Sequence, residues 1–297
     1  MGEVRDDEEE PRYTELTAPL ILDTDVGGDP DDAIALTVAA LRVPELRLVV
    51  TTDEHDGQRA RFARHLLDLL GRPDVPVTAG ADLGNTRYSC IDGLVPDSVP
   101  GQPVNVLAAV DAVLAAASGP VRWVGIGPMT NLARYLSAHP EHAGRLYITQ
   151  MGGALAYRDP ARAEHNVRLD PAAAIRVLTA SLPHLALIPS DVTFTTAIEI
   201  TAESPIAKDL ADPGAPAWAG LLTRHMRQWF DCFHRGTMQH DALTLAAALG
   251  HPSIDFAQVP VAIAADGRMA AAGGIPLTLA CRVRYDGFMW WLARQLR

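Results

Sequence analysis

Short apolar segments alternate with amphipathic helical segments along most of this chain, and this alternation restricts the fold more than any other feature. Residues 20–22 and 46–50 are compact apolar runs of strand type. Residues 59–70 carry apolar side chains at helical spacing and are followed by Gly71. Such alternation predicts an α/β fold, with a mainly parallel sheet and helices on both faces. In such folds the ligand lies beyond the carboxyl ends of the strands.

The rest of the chain continues this pattern. We predict further strands at residues 121–126, 146–149, 185–188, 259–264 and 277–283. We predict further helices at residues 32–41, 104–117, 131–136, 171–180, 218–233, 241–249 and 288–296. The start of the chain differs, because Glu3 to Glu10 is an acidic run typical of a solvated tail. We therefore expect a flexible acidic extension over residues 1–18 and a single domain over residues 19–297.

Composition and charge argue against several classes of protein. The chain has 297 residues, of which 48% are apolar, so it can bury a large core. Its net charge of -11 and its lack of a basic stripe argue against binding to nucleic acid or to anionic membranes. No apolar segment resembles a secretion signal or a membrane span, so we expect a cytoplasmic protein. Cys90, Cys232 and Cys281 form no CxxC pair, and we expect reduced, mostly buried thiols.

A dense group of aspartates directly follows the first predicted strand. The five lie within a ten-residue stretch: Asp23, Asp25, Asp29, Asp31 and Asp32. Carboxylates this close repel one another, and burial makes the repulsion costlier. A bound cation relieves both penalties, and clustered carboxylates are ligands that calcium and magnesium prefer. The alternative at this point is a solvated loop whose aspartates only cap the following helix.

The sequence around these aspartates resembles a known family signature. Residues 23–36 (DTDVGGDPDDAIAL) are similar to the DTDPGxDDAxAL motif of the inosine-uridine-type nucleoside hydrolases, with two extra residues before the paired aspartates. Five further segments resemble family motifs in the same order along the chain: residues 74–80 (DVPVTAG), 127–133 (GPMTNLA), 151–153 (MGG), 164–166 (EHN) and 240–241 (HD). The resemblance implies a Rossmann-like nucleoside hydrolase fold.

The resemblance also implies an activity, a cofactor and a partner. The activity is hydrolysis of the N-glycosidic bond of ribonucleosides to ribose and free base, in purine or pyrimidine salvage, with Ca²⁺ as cofactor. The implied calcium ligands are the carboxylates of Asp25, Asp32 and Asp241 and the backbone carbonyl of Ile126. Asp25 is the implied general base, and His240 would bind the departing base and protonate it. A homodimer or homotetramer is implied as well.

The implied ribose site uses residues from two motifs. Asp31, Glu164 and Asn166 would bind the ribose hydroxyls, and Met151 would line the sugar pocket. The two extra residues in the first motif leave Asp29 as an alternative to Asp31. We prefer Asp31, because the residues that follow it keep the family register.

Three features depart from the family pattern or leave a choice open. Residues 51–54 (TTDE) replace a segment in which the family often has a ribose-binding Asn. His165 stands where the family usually has Phe, which makes the sugar pocket more polar. His225 and His234, with Trp229, belong either to an amphipathic core face or to the surroundings of the base.

Two other functions compete with this hypothesis. A haloacid-dehalogenase-like phosphohydrolase would use Asp23 and Asp25 with Mg²⁺. Such an enzyme also needs a lysine in mid-chain, and Lys208 is the only lysine of the sequence. The second alternative is a non-catalytic nucleoside-binding protein on the same scaffold, although pure binding does not require the implied ligand set.

Overall fold

The computed structural model describes residues 17–85 and 88–297, so most of the expected acidic extension lies outside the described residues. The strands are β1 (Leu20–Thr24), β2 (Leu46–Thr51), β3 (Val77–Ala79), β4 (Val121–Gly125), β5 (Leu146–Met151), β6 (Leu185–Ile188), β7 (Glu199–Thr201), β8 (Gly236–Met238), β9 (Ile254–Ile263) and β10 (Met269–Val283). The helices are α1 (Asp31–Arg42), α2 (Gln58–Leu69), α3 (Val106–Ala116), α4 (Thr130–Ala138), α5 (His165–Leu169), α6 (Pro171–Leu178), α7 (Ser190–Thr193), α8 (Pro205–Leu210), α9 (Ala217–Cys232), α10 (His240–Ala248) and α11 (Tyr285–Gln295). Two 3₁₀ segments span Pro140–Arg145 and Thr196–Ile198.

Eight strands form one sheet in the order β3-β2-β1-β4-β5-β6-β10-β9. All neighbours pair in parallel except β10 and β9, which form an antiparallel hairpin at one edge. This arrangement confirms the predicted mainly parallel α/β fold. The hairpin strands are longer than predicted, because their outer parts pair with each other and not with a buried neighbour. β7 and β8 form a separate antiparallel pair.

The side chains of β1 show how the two faces of the sheet are covered. Leu20 and Leu22 belong to one apolar cluster, with side chains of α1, α2, α9, α10 and α11. Ile21 points to the opposite cluster, which is completed by α3, α4 and α6. Alternate residues of a strand face opposite sides of a sheet, so a strand covered on both faces must be apolar throughout. This explains why the predicted strands are continuous apolar runs.

Several short elements were not predicted from the sequence. They are β3, β7, β8, α5, α7 and α8, and they have three to six residues each. Segments this short carry little periodicity, and their backbones are held by neighbouring elements. Among the described helices, none is long and apolar enough to cross a lipid bilayer.

The prediction of mostly buried cysteines is wrong for two of the three. Cys90 is buried, whereas Cys232 and Cys281 are exposed. Cys232 is the last residue of α9, and Cys281 lies on the outward-facing side of β10 near the sheet edge. Residue type alone does not determine burial where an element is covered on only one side.

Candidate active site

A cavity of about 430 Å³ opens at the carboxyl ends of the central strands. The segments that follow β1, β2 and β4 contribute to its lining, as does the last residue of β5. This is the place where an open parallel sheet binds ligands. All ten residues assigned to a metal or substrate site line this cavity: Asp25, Asp29, Asp31, Asp32, Ile126, Met151, Glu164, Asn166, His240 and Asp241.

Two helices bring three carboxylates together in the lining of this cavity. Asp31 and Asp32 occupy the first turn of α1, and Asp241 occupies the first turn of α10. Carboxylate oxygens of the three residues lie within 4.8 Å of one another. Carboxylates at a helix N-terminus are stabilised by the helix dipole, which offsets part of their repulsion. We call Asp31, Asp32 and Asp241 the metal carboxylates, which is a label for this cluster and does not state which of its oxygens bind an ion.

The electrostatics of the metal carboxylates fit a divalent cation. All three side chains are buried. Burial and the repulsion from Asp31 raise the pKa of Asp32 to about 8. Burial, followed by a neighbouring aspartate, also raises the pKa values of Asp31 and Asp241. Three hard oxygen donors that destabilise one another in the charged form are a donor set suited to calcium or magnesium.

Asp25 lies beside the metal carboxylates and is positioned through its backbone. Its carbonyl accepts a hydrogen bond from Arg59 Nη1. Burial and repulsion from Asp32 raise the pKa of its carboxyl group. The carboxylate packs over Gly127, where a Cβ atom would lie 2.7 Å from Asp25 Oδ1. Residue 127 must therefore be glycine for the carboxylate to keep this position, which gives the GPMTNLA segment a steric role in the site.

Asp29 is held differently from Asp31. Thr237 in β8 donates its hydroxyl to Asp29 Oδ1. Burial raises the pKa of Asp29 to about 7. Asp29 is thus bound to the small β7-β8 sheet, while Asp31 faces Asp32 and Asp241. Asp29 nevertheless lies next to this group, because after burial its charge is the largest cause of the raised pKa of Asp31.

Asp23 supports the site and does not line the cavity. Its buried Oδ1 accepts a 2.9 Å hydrogen bond from Asn131 Nδ2. The Asn131 amide also donates to Thr51 O, at 2.9 Å, and accepts from Ala81 N, at 3.0 Å. A Cβ at Gly80 would clash with this amide at about 2.5 Å. Two family-like segments, 74–80 and 127–133, therefore meet at the Asn131 side chain. This side chain links the ends of β1 and β2 through its hydrogen bonds.

Glu164 is buried and is committed to the backbone around α5. It caps this helix, with Oε1 accepting from Asn166 N at 3.1 Å and Oε2 accepting from Val167 N at 3.2 Å. Oε2 also accepts from Gly153 N at 3.1 Å. Oε1 keeps further acceptor capacity, because a carboxylate oxygen has two lone pairs and Oε1 accepts only one hydrogen bond. The cap fixes the direction in which α5 presents Asn166.

The Asn166 side chain faces two other predicted site residues. Its Nδ2 lies 3.3 Å from Met151 Sδ and 3.4 Å from the carbonyl oxygen of Ile126. The carbonyl of Ile126, predicted as a metal ligand, is thus turned toward the cavity lining. Three segments far apart in the sequence converge here, because β4 and β5 are neighbours and α5 follows β5.

The segment that departs from the family pattern contains a buried ion pair. Asp53 adopts a left-handed backbone conformation and lines the cavity. Its Oδ2 lies 3.4 Å from Arg59 Nη2 and accepts from Asn85 Nδ2 at 2.9 Å. Glu54 turns away instead, accepting from Thr51 Oγ1 and from Ala60 N at the start of α2. Asp53 is therefore the residue of this segment that reaches the cavity wall.

Comparison with known proteins agrees with this geometry. The sequence profile of the family described as inosine-uridine preferring nucleoside hydrolase matches residues 20–283. This covers all the strands of the main sheet and all ten of the predicted site residues.

The chain belongs to this family.

Named relatives support the assignment. The pyrimidine-specific ribonucleoside hydrolase RihA of Klebsiella pneumoniae (strain 342) is 32% identical over 261 residues, which cover 78% of this chain and 79% of that protein. RihA of Shewanella sp. (strain ANA-3) is 34% identical over 269 residues, covering 82% and 81%. The solved plant nucleoside hydrolase PpNRh1 shares the fold, with a TM-score of 0.77, 22% identity and coverage of 94% and 99%. The chain is thus an enzyme of the nucleoside hydrolase family, and the phosphohydrolase alternative is wrong.

In this nucleoside hydrolase, His240 is a neutral imidazole at neutral pH. Burial, followed by the charge of Arg158, lowers its pKa to about 4. Its Nδ1 lies 2.7 Å from Thr193 Oγ1, and its ring stacks on Phe194 with centroids 6.3 Å apart. Burial likewise lowers the pKa of His165 to about 4. A neutral imidazole still donates one N–H, so His240 can hydrogen-bond a leaving group without carrying charge.

The choice left open for the α9 region is resolved residue by residue. Trp229 and His234 line the cavity, beside Tyr88. His225 belongs instead to the core, where its Nε2 lies 3.0 Å from the carbonyl oxygen of Gly28. Its ring packs edge-on against Phe62, with centroids 5.2 Å apart.

Sequence reasoning missed two arginines of the cavity lining, Arg59 and Arg158. Arg59 is buried, on the same face of α2 as Phe62 and Leu66. The sequence contained a signal for this, because Arg59 occupies a position where the helical spacing predicts an apolar residue. Arg158 lies in the long segment after β5, where its guanidinium covers the Phe194 ring at 4.3 Å. No periodic pattern marks such a loop residue.

Proposed function

We propose that this protein hydrolyses the N-glycosidic bond of ribonucleosides and releases ribose and free base with the help of one Ca²⁺ ion. The observation that carries the proposal is the convergence of the buried carboxylates of Asp31, Asp32 and Asp241 in the lining of a cavity in a nucleoside hydrolase. Neither metal-independent catalysis nor simple nucleoside binding accounts for carboxylates that destabilise one another.

The residues proposed to hold the ion are Asp25, Asp32, Asp241 and the Ile126 carbonyl. All four line the cavity, and the carboxyl groups have raised pKa values caused first by burial. When bound, the cation gathers water and ribose hydroxyls and lowers the pKa of the water. It also removes the repulsion that burial imposes on these carboxylates.

Asp25 is the proposed general base. It accepts a proton from the attacking water while the water oxygen forms a bond to C1′ of the ribose. The C1′–N bond breaks, and the base departs with the bonding electron pair and takes up a proton from the solvent, to which Asp25 later returns the proton of the attacking water. The sugar acquires positive charge in the transition state, as in other glycoside cleavage. The surrounding carboxylates favour that charge.

The ribose hydroxyls are proposed to bind Asp31, Glu164 and Asn166, with Met151 beneath the sugar. Glu164 is held rigid by three backbone N–H groups, so it costs little conformational entropy to present the free lone pair of Oε1. We keep Asp31 and not Asp29 in this role, because the residues that follow Asp31 keep the family register, and Asp29 is the alternative. His240 would donate a hydrogen bond to the departing base.

The base is proposed to lie among the aromatic side chains at the cavity mouth. Tyr88 packs against Trp229, with ring centroids 6.1 Å apart, and Phe194 is 45% exposed. Planar bases stack on such rings. Because the named relatives are pyrimidine-specific, uridine and cytidine are the substrates we would assay first, followed by inosine.

A nucleoside panel with and without a chelator tests the proposal. We expect release of reducing sugar that stops on chelation, returns with Ca²⁺ and is lost in Asp25→Ala. Asp97→Asn, which changes an exposed aspartate outside the cavity lining, is the matched control and should keep full activity. Phosphate release from phosphomonoesters, or tight nucleoside binding without turnover, would contradict the proposal.

The remaining expectations from the sequence stay predictions. They are a role in purine or pyrimidine salvage, a cytoplasmic location, a homodimer or homotetramer, and a single domain over residues 19–297. Size-exclusion chromatography with light scattering would test the oligomeric state.

A further inference from the structure

A second cluster of metal-ligating side chains lies away from the active-site cavity. Asp111 is on α3, and His139 and His142 lie between the end of α4 and the start of β5. One potential ligand atom of each residue lies within 4.8 Å of the others, and all three side chains are partly buried. The connection from a helix to the next strand runs at the amino-terminal edge of a parallel sheet. The cluster is therefore on the edge opposite the cavity.

The distances within this cluster suit one small ion. Asp111 Oδ2 and His139 Nε2 are 3.6 Å apart. An oxygen and a nitrogen bound to one tetrahedral zinc ion, at about 2.0–2.1 Å each, are separated by about 3.3 Å. The rings of His139 and His142 are nearly parallel, with centroids 5.5 Å apart. Two imidazoles side by side at this spacing can both reach a common ion.

Neighbouring side chains hold the three groups in place. Tyr135 Oη donates to Asp111 Oδ1 at 2.7 Å, and it also lies 2.7 Å from His142 Nδ1. Burial and the hydrogen bond to Asp111 raise the pKa of Tyr135, so the phenol stays neutral. The Nδ1 of His139 lies 3.5 Å from Glu141 Oε1. A carboxylate on the far nitrogen of a histidine is the arrangement that orients metal-binding imidazoles.

We propose that Asp111, His139 and His142 form a second metal site, which binds Zn²⁺ or a similar transition-metal cation and links α3 to the segment after α4. Imidazole nitrogens with one carboxylate select such ions over calcium, which prefers an all-oxygen site. This cluster therefore differs from the metal carboxylates, which offer only oxygen ligands. The competing interpretation is that His139 interacts with Asp111 and Glu141 alone, with no ion bound.

A zinc titration by calorimetry separates the two interpretations. The protein is prepared without a histidine tag, in a Cys232→Ser/Cys281→Ser background, because exposed thiols also bind zinc. Excess Ca²⁺ is present to occupy the active site. We expect one Zn²⁺ per chain, at least tenfold weaker binding in His142→Ala, and a zinc-induced rise in Tm that this variant loses.

The matched control is His184→Ala, which removes a histidine that stacks on Tyr147 outside the cluster. It should bind zinc as the background protein does. Asp111→Asn provides a second variant, since the amide keeps the shape of the side chain but loses the charge, and it should also weaken zinc binding. The proposal is overturned if the background protein binds no zinc at 100 µM, a concentration we choose for the assay, or if His142→Ala and Asp111→Asn bind zinc unchanged.

Discussion

Two sets of buried carboxylates lie at the same end of the sheet and are stabilised in opposite ways. Asp23 and Glu164 accept hydrogen bonds from protein N–H groups: Asp23 from one side-chain amide and Glu164 from three backbone amides. Asp31, Asp32 and Asp241 instead face one another. We call Asp23 and Glu164 the supporting carboxylates, in contrast to the metal carboxylates.

The difference shows which carboxylates the protein itself can satisfy. A buried carboxylate with N–H donors contributes to a fixed structure, whereas carboxylates that face each other raise the free energy of the folded chain. Asp32 also accepts a hydrogen bond from the Thr24 hydroxyl, but this donor does not remove the repulsion, and a bound cation or a proton must supply positive charge. Burial alone therefore does not distinguish structure from function, but the partners of the buried group do. The following predictions test this contrast, from the largest expected effect to the smallest.

Asp241→Asn should have the largest effect. Removing a metal carboxylate should lower kcat/KM for the preferred nucleoside by about 10³-fold or more, equivalent to about 4 kcal/mol. Without calcium the variant should nevertheless be more stable than the wild type, because one source of repulsion is gone. Steady-state assays and thermal melts in EDTA measure the two effects. A variant that is less stable than the wild type in EDTA would show that Asp241 is a supporting carboxylate.

Asn131→Ala should affect stability and not chemistry. It leaves the buried Asp23 without its donor, and the free energy of unfolding should fall by about 3 kcal/mol. Asn105→Ala is a useful comparison, because it removes only the N-terminal cap of α3 and should cost about 1 kcal/mol. Urea denaturation measures both. Loss of activity in the fully folded Asn131 variant would contradict the supporting role.

Removal of calcium should destabilise the wild type and not Asp241→Asn. At a calcium concentration 100 times Kd, binding to the folded state alone contributes about 2.7 kcal/mol. Chelation should therefore lower Tm by roughly 4 °C. Thermal melts at a series of calcium concentrations measure this shift in Tm. An equal shift in Asp241→Asn would place the stabilising ion elsewhere.

His225 is a buried basic group, and burial disfavours its charged form as it does that of the buried carboxylates. Burial lowers its pKa to about 4, whereas the unfolded value is about 6.5. The unfolded chain thus binds a proton on this histidine more tightly than the folded chain does. The neutral histidine therefore has little effect on the free energy of unfolding well above pH 6.5 and lowers it as the pH falls below that value. Between pH 7 and pH 5 the wild type should lose about 2 kcal/mol more than His225→Gln. Urea melts at both pH values test this, with His184→Gln expected to behave as the wild type.

Arg158→Ala should have the smallest effect. Its guanidinium covers Phe194, whose ring stacks on His240, so it borders the proposed base site without touching the metal carboxylates. Loss of this contact should raise KM about two- to fivefold and leave kcat unchanged, which is less than about 1 kcal/mol. A large fall in kcat would show that Arg158 acts on the reacting atoms.

Much of the fold was predictable because it is encoded locally. The apolar runs at β1, β2 and β6 and the helical spacing of α2 each suffice to define an element. The elements that were missed are too short for a periodic pattern, and β7 and β8 exist only because they pair with each other. The site residues were predictable through motifs, which mark positions but not the contacts made there.

The sequence by itself determined the type of sheet, the end of it where the cavity lies, and ten of the residues that line the cavity. Only the tertiary structure decided how each residue is held. It placed Asp241 of α10 beside Asp32 of α1, turned Glu164 into a helix cap and brought Arg59 to the cavity wall. The physical reason is that periodicity and propensity act over a few neighbouring residues. The stability of a buried charge instead depends on partners that distant parts of the chain supply.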